Sequence, residues 1–165
     1  MSRLSRLARN LFGGWGLVGK FPRDAFARID TAIAASERRH GGEIVFAVET
    51  RLWPGAVLAG IDAHKRARSL FSRYRIWDTE QNVGVLIYAL LAEHRVEIVA
   101  DRGVMKRVTQ AELDAICATV VDGFRRGEPE HGVVTAIEAL TALLAPHFPD
   151  QPGAPTELCD APIVV

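Results

Sequence analysis

Apolar residues return at helical intervals in five stretches of this chain, and crowd into short β-branched runs in three others. Phe26, Ile29, Ala32 and Ile33 form one stripe, predicting a helix from a cap at Asp24 to about His40, where Gly41 and Gly42 stop it. EIVFAVET, residues 43–50, has the length and composition of a strand. Pro54 and Gly55 form a turn, and a helix follows from about Ala56 to Tyr74 with Leu58, Ile61, Leu70, Phe71 and Tyr74 as its apolar anchors. VGVLIYALLA, residues 83–92, is apolar throughout, so periodicity alone cannot separate a buried strand from a buried helix. The neighbouring RVEIVAD, residues 95–101, has strand composition, and Glu93-His94 links the two as a hairpin. Thr109 and Glu112 make a capping box before the stripe Leu113, Ile116, Cys117, Val120, Val121 and Phe124. Gly127 and Pro129 end that helix. A last helix runs from about Gly132 to Ala145, closed by Pro146.

The predicted order is α-β-α-β-β-α-α. A strand, a helical crossover and a second strand imply a parallel pair with a right-handed connection, and the hairpin adds an antiparallel strand. Because the central run is apolar on both faces, helices must cover both. The fold class is therefore α/β, a three-layer α/β/α sandwich around a small mixed sheet. The chain divides into an amphipathic and glycine-rich segment at 1–21, the sandwich domain at 22–146 and a Pro-rich extended tail at 147–165.

A chain of 165 residues, 48 % hydrophobic and 24 % charged, is long and apolar enough for one proper core. Its formal net charge of zero argues against a dedicated nucleic-acid binder. Cys117 and Cys159 form no CxxC knuckle and no disulfide framework; Cys117 falls on an apolar stripe, and Cys159 is expected as a free thiol in the tail. No apolar run is long enough for a transmembrane segment. Gly13, Gly14, Gly16, Gly19 and Lys20 dilute the early apolar stretch and no cleavage site follows, so a cytoplasmic protein is expected. Arg3, Arg6 and Arg9 alternate with Leu4, Leu7 and Leu11 at helical spacing. Such a helix either packs on its own domain or rests on a membrane surface or a protein partner, which would make the chain membrane-peripheral.

The string Asn82-x-Gly84-Val85-Leu86-Ile87-Tyr88, followed by Arg95-Val96-Glu97-Ile98-Val99-Ala100-Asp101-Arg102-Gly103, resembles the TPM domain family. That family is named for a thylakoid lumen protein, a photosystem II repair protein and a nematode receptor modulator. ERRHGGEIVFAVE fits it too, and the resemblance covers about residues 22–146, closest to the short soluble bacterial members. It implies an α/β/α sandwich. It also implies calcium binding, known for some members, or an acid phosphatase activity, known for a plant member. Many members carry a signal peptide and a membrane anchor, and this sequence shows the pattern of neither.

Pairing Ala92 with Arg95 would set Leu90 against Glu97 and Leu86 against Asp101, so that Asp101 points to the end of the sheet where Asp78, Glu80 and Asn82 lie. Carboxylates and an amide oxygen suit a hard divalent cation, calcium or magnesium, with loop carbonyls and water completing the shell. Asp78, Asn82 and Asp101 are thus the candidate metal ligands; no organic cofactor is expected. The alternative reading makes Asp101-Arg102-Gly103 a strand-ending turn and Asn82 a turn stabiliser. Open α/β sheets usually bind ligands beyond the carboxyl ends of parallel strands, a position that collects Glu49, Thr50, Arg51, Glu93 and His94 instead. The five histidines lack zinc spacing, no serine sits in G-x-S-x-G, and GGWG and HGGE lack the Lys-Ser/Thr of a phosphate loop. His64, Lys65, Arg66, Arg68, Arg73 and Arg75 make one helix basic, fit for phosphate, an acidic partner or solvent. Three functions follow: a binding or accessory module holding a divalent cation, a metal-dependent phosphatase acting on phosphomonoesters, and a peripheral module engaging a membrane or protein through its N-terminal helix.

Overall fold

Two inner strands carry apolar residues on both faces, and every other element is arranged to cover them. The computed structural model describes residues 3–12, 21, 23–149, 158 and 161–165. The glycine-rich stretch 13–20, residues 150–157 of the Pro-rich tail and Cys159 lie outside the described residues. The sheet has the order β3-β2-β1-β4. β1 (Glu43–Glu49) and β2 (Gly84–Leu90) are parallel, with Val45 opposite Leu86. β3 (Arg95–Ala100) runs antiparallel to β2, and β4 (Ile163–Val164) pairs parallel with β1.

Strand alternation sorts the core into two halves. Ile44, Phe46, Val48, Val85, Ile87 and Ala89 face α2 (Arg23–Glu37), α6 (Gln110–Arg126) and α7 (Pro129–Leu144). Val45, Ala47, Leu86, Tyr88 and Leu90 face α3 (Pro54–Leu58) and α4 (Ala63–Arg73), with Leu7 of α1 (Arg3–Phe12) packed beside them. All seven residues of β2 are buried, as a strand sheathed by helices on either side requires. The expected three-layer α/β/α sandwich is the observed fold.

Several local expectations need correction. The single helix expected from Ala56 to Tyr74 is two helices. Gly60 adopts φ 77°, a left-handed turn open to glycine, and Asp62 restarts the chain as α4 by accepting the Lys65 N–H at 2.8 Å. Leu58 and Tyr74, expected as anchors, are 58 % and 40 % exposed, while Leu70 and Phe71 are buried. Asp24 lies inside the first turn of α2 rather than at its cap. Pro129 opens α7 instead of ending α6, which stops at Gly127 with φ 78°. The hairpin link is longer than Glu93-His94: Leu91–Glu93 form a 3-10 turn and His94 takes φ 51°. The Ala92 N–H bonds the Thr50 carbonyl at 2.9 Å, drawing the link onto the end of β1. Leu90 therefore sits opposite Arg95, and Tyr88 opposite Glu97. The slip from the expected register is two residues, so each side chain keeps its face. The chain after Ala100 forms a short helix, α5 (Arg102–Met105).

Two backbone approaches fix how tightly these layers meet. A Cβ on Gly84 would lie 1.8 Å from the Ile76 carbonyl oxygen, and one on Gly123 would lie 2.6 Å from the Gly132 Cα where α6 crosses α7. Gly84→Ala should lower stability by about 3 kcal/mol, because backbone rather than a mobile side chain must move; urea unfolding of the purified variant measures it. The capping box forms as expected. The Thr109 N–H and hydroxyl donate to Glu112 Oε2 at 2.8 and 2.7 Å, holding that carboxyl below its ordinary value of 4.5. A depressed carboxyl stabilises above its unfolded value and loses that contribution as pH falls through the lower folded value. Glu112→Gln should therefore lose stability at neutral pH relative to the parent, and the difference should vanish under acid conditions below the folded value, as read by thermal unfolding across pH.

Candidate functional site

The amino end of β2 is built from two turns. The Asp78 N–H bonds the Arg75 carbonyl at 2.8 Å, the Asn82 N–H bonds the Thr79 carbonyl at 3.1 Å, and the Val83 N–H bonds the Thr79 hydroxyl at 2.9 Å. Asn82 sits at φ 57°, a left-handed position its short amide tolerates. Its carbonyl accepts the Gly103 N–H at 3.0 Å, and its side-chain oxygen accepts the Arg102 Nε–H at 2.8 Å. Asp101 donates its N–H to the Gly84 carbonyl and caps α5, its Oδ1 accepting the Arg102 N–H at 2.6 Å. Asp101 Oδ2 is buried and has no hydrogen-bond partner. A Cβ on Gly103 would fall 2.4 Å from the Asn82 carbonyl oxygen and 2.9 Å from that of Gln81. Asn82 and Asp101 thus meet at one oxygen-rich corner around Arg102. Asp78 instead accepts from the Arg75 guanidinium at 2.6 Å in its own turn. Among the described residues, no three His, Cys, Asp or Glu side chains gather in a cluster suited to a metal.

The carboxyl end of the parallel pair is differently made. Glu49, the last residue of β1, accepts two bonds from Arg66, at 2.7 and 3.1 Å, and one from the Tyr88 hydroxyl at 2.8 Å. Burial first, and then the Glu49 charge, push the Tyr88 phenol well above its ordinary value; the same carboxylate raises Arg66. Glu93, in the 3-10 turn, takes Arg6 on both oxygens at 2.8–3.1 Å and the Asn10 amide at 2.8 Å. Arg6 also donates to the Ile61 carbonyl, and Asn10 Oδ1 accepts the Leu52 N–H at 2.7 Å. These carboxylates are engaged within the fold, so they brace this end rather than wait for a ligand. A cleft of about 390 Å³, lined by Arg6, Asp62, His64, Glu93, Arg95 and Glu97, opens beside them. Sequence reasoning placed Glu49 and Glu93 here but missed Arg6, Asn10, Arg66 and Tyr88. A signal existed for Arg66, which lies three residues after Ala63 and four before Leu70, on the buried face of α4.

Other groups singled out by sequence are absorbed by the fold. His64 pairs with Glu97 at 3.3 Å, Lys65 donates to the Gly60 carbonyl at 3.1 Å and Arg75 holds Asp78, so the basic helix spends much of its charge internally. Ser36 and His40 lie 2.9 Å apart but are buried. His40 Nδ1 accepts the Gly42 N–H at 3.0 Å, which puts the ring proton on Nε2, donated to Ser36 Oγ. Ser36 in turn donates to Thr141 at 2.6 Å, and Thr141 to the Ile137 carbonyl at 2.7 Å. The relay runs away from the serine oxygen, so it locks α2 to α7 and does not activate a nucleophile. Burial pushes the Cys117 thiol up to about 12, leaving it protonated and unreactive.

Three layers around a four-stranded mixed sheet place the chain among the α/β/α sandwich domains. Within that class it belongs to the TPM domain family, whose profile matches residues 18–143, as the strings at 82–88 and 95–103 led us to expect. The chain is similar to BA42 from the psychrophilic bacterium Bizionia argentinensis, at 25 % identity and a TM-score of 0.77, over 87 % of this chain and 94 % of that one. The N-terminal domain of a protein from P. gingivalis shares the fold at 16 % identity and a TM-score of 0.62, over 77 % of this chain and 78 % of that one. No functionally curated protein matches the chain. Among the described residues, no helix is long and apolar enough to cross a membrane.

With side-chain exposures of 13 % for Arg6 and 5 % for Glu93, removing the arginine strands a buried charge. Arg6→Ala should cost about 3–5 kcal/mol in chemical unfolding. The double variant Arg6→Ala/Glu93→Gln should recover part of that loss.

Proposed function

We propose that this chain is a TPM-domain accessory module that binds one divalent cation, calcium, through Asp101, Asn82 and Asp78 at the amino end of its inner strands. One observation carries the reading: Asp101 Oδ2 is a buried carboxylate oxygen without a hydrogen-bond partner. Buried polar atoms in folded proteins are nearly always satisfied, and an ion or water is a standard solution where protein supplies none. The neighbouring groups are of the right kind. Asn82 Oδ1, the main-chain carbonyls of the 78–82 loop, the Asp78 carboxylate and water would supply the oxygens a calcium ion takes. Glycine at 103 permits the Gln81 and Asn82 carbonyls to stand close to the corner.

Arg102 has a definite part in this reading. Its guanidinium holds Asn82 Oδ1, and a cation arriving at Asp101 must displace it. Arg102 therefore keeps the amide oriented in the absence of metal and opposes metal by charge. Asp78 must likewise exchange Arg75 for the ion.

Calcium titrated into the purified chain and followed by amide NMR should give saturable shifts concentrated at residues 78–84 and 100–103. Asp101→Asn should weaken binding about tenfold or more, and Arg102→Gln should tighten it several-fold by removing a nearby positive charge. Absence of saturable shifts at millimolar calcium and magnesium would refute the reading. Chelator-sensitive hydrolysis of a chromogenic phosphomonoester, abolished by Asp101→Asn, would replace an accessory role with a metal-assisted phosphatase.

A further inference from the structure

β3 is an outer strand, and among the described residues no strand pairs with its far edge. The register tells which main-chain groups that edge presents. The Asp101 N–H bonds the Gly84 carbonyl at 2.9 Å, so these opposed residues form a hydrogen-bonded pair. In an antiparallel ladder such pairs recur at every second residue. Val99, Glu97 and Arg95 therefore bond β2, while Ala100, Ile98 and Val96 turn their N–H and carbonyl groups away from it. The Cys117 sulfur of α6 lies against the Ile98 main chain, as that orientation requires, and closes the edge there. Toward Val96 the strand and the helix part. They leave a recess of about 530 Å³ bordered by Glu97, Asp114, Ala118, Val121 and Asp122.

The recess shares Val96, Val121 and Arg125 with a second cavity, of about 260 Å³, whose other walls are Leu90, Leu91 and Phe124. His94, Arg95 and Arg125 border this apolar cavity, and no carboxylate does. Charge is thus sorted along the groove, with cations at the His94 end and Glu97, Asp114 and Asp122 in the recess. Each acid has a local partner. Glu97 meets His64 at 3.3 Å, Asp114 accepts the Gln110 amide at 2.9 Å, and Asp122 pairs with Arg125 at 3.1 Å. Such surface contacts are worth little, so a ligand exchanges them at small cost. Asp114 to Arg125 spans about 17 Å of helix, the length of about five extended residues.

We infer that the groove between β3 and α6 takes the carboxyl-terminal end of a protein partner as an added strand, antiparallel to β3. The partner's main chain bonds the outward groups of Val96, and its last side chain, an apolar one, fills the cavity. Its terminal carboxylate meets Arg125, and a lysine or arginine a few residues upstream reaches Asp114 and Glu97. A chain end fits where an internal segment does not, because the apolar cavity lies beside the cations and an internal segment brings them no carboxylate. Pairing is short: where Cys117 stands on Ile98 the upstream residues lift away from the sheet. The groove lies at the far end of β3 from Asp101, so it should work with chelator present.

A library of random heptapeptides with free carboxyl termini, probed with the full chain in chelator, tests this. Selection should give an apolar last residue and a lysine or arginine upstream. The best selected peptide should lose about tenfold or more in affinity when its carboxyl is amidated, and similarly against Arg125→Glu. Ala118→Trp, a change at an exposed helix position, should block the groove while keeping the parent's unfolding midpoint. Peptide binding should also slow hydrogen exchange of the Val96 N–H, a mark of strand addition. No enriched sequence, equal binding of the amidated peptide, or unchanged exchange at Val96 would overturn the proposal. So would self-association of the parent in sedimentation velocity that Ala118→Trp abolishes, because a second copy would then be the occupant.

Discussion

A strand with no polar face constrains everything else in this molecule. From Gly84 to Leu90 each residue of β2 is buried, and β1 beside it is buried from Ile44 to Glu49. Such a ribbon cannot sit at a surface, so two helical layers are obligatory. One layer uses α2, α6 and α7; the thinner one uses α1, α3 and α4. The approach of Gly84 to the Ile76 carbonyl shows how closely the chain entering the strand must pass.

Polar groups are thereby driven to the two ends of the ribbon, and the ends solve the problem in opposite ways. At the carboxyl end, Glu49 and Glu93 are each fully matched by arginine and a neutral donor. A buried carboxylate held this way contributes little net stability against an apolar substitute, but the loss of one partner is costly. It acts mainly as a key: α1 and α4 can dock in one position only. At the amino end the matching is incomplete, with one oxygen of Asp101 left over. The contrast between a saturated end and an unsaturated one directs attention to the latter.

The layered architecture was legible because it depends on composition averaged over whole segments: the all-apolar run at 83–92, the β-branched 95–101 and the stripes of α6 and α7. The capping box at Thr109 and Glu112 was equally plain, being a local pattern with a local cause. Details set by tertiary contact were not. Gly60 divides α3 from α4 within a stretch whose leucines and isoleucine suggest continuity. The hairpin link lengthened because Ala92 bonds Thr50, a partner 42 positions earlier in the numbering. Arg6 read as one of three arginines alternating with leucines on an amphipathic helix, since its partner Glu93 is far away along the chain. At the candidate corner, Asn82 and Asp101 could be placed at the same end of the sheet from strand alternation alone. The intervention of Arg102, and the engagement of Asp78 by Arg75, depend on backbone turns with φ near 55° that composition does not announce.

The pairing of β1 with β4 has a consequence for how this fold comes into being on a ribosome. Ala47 and Val48 find their second neighbour in Ile163 and Val164. Throughout synthesis of everything between, that flank of β1 offers bare N–H and carbonyl groups in a strand of strongly apolar sequence. Such a flank is adhesive toward other nascent chains. The two-residue β4 acts as a late cover strip, and the interval before it arrives is when the growing polypeptide most needs shelter.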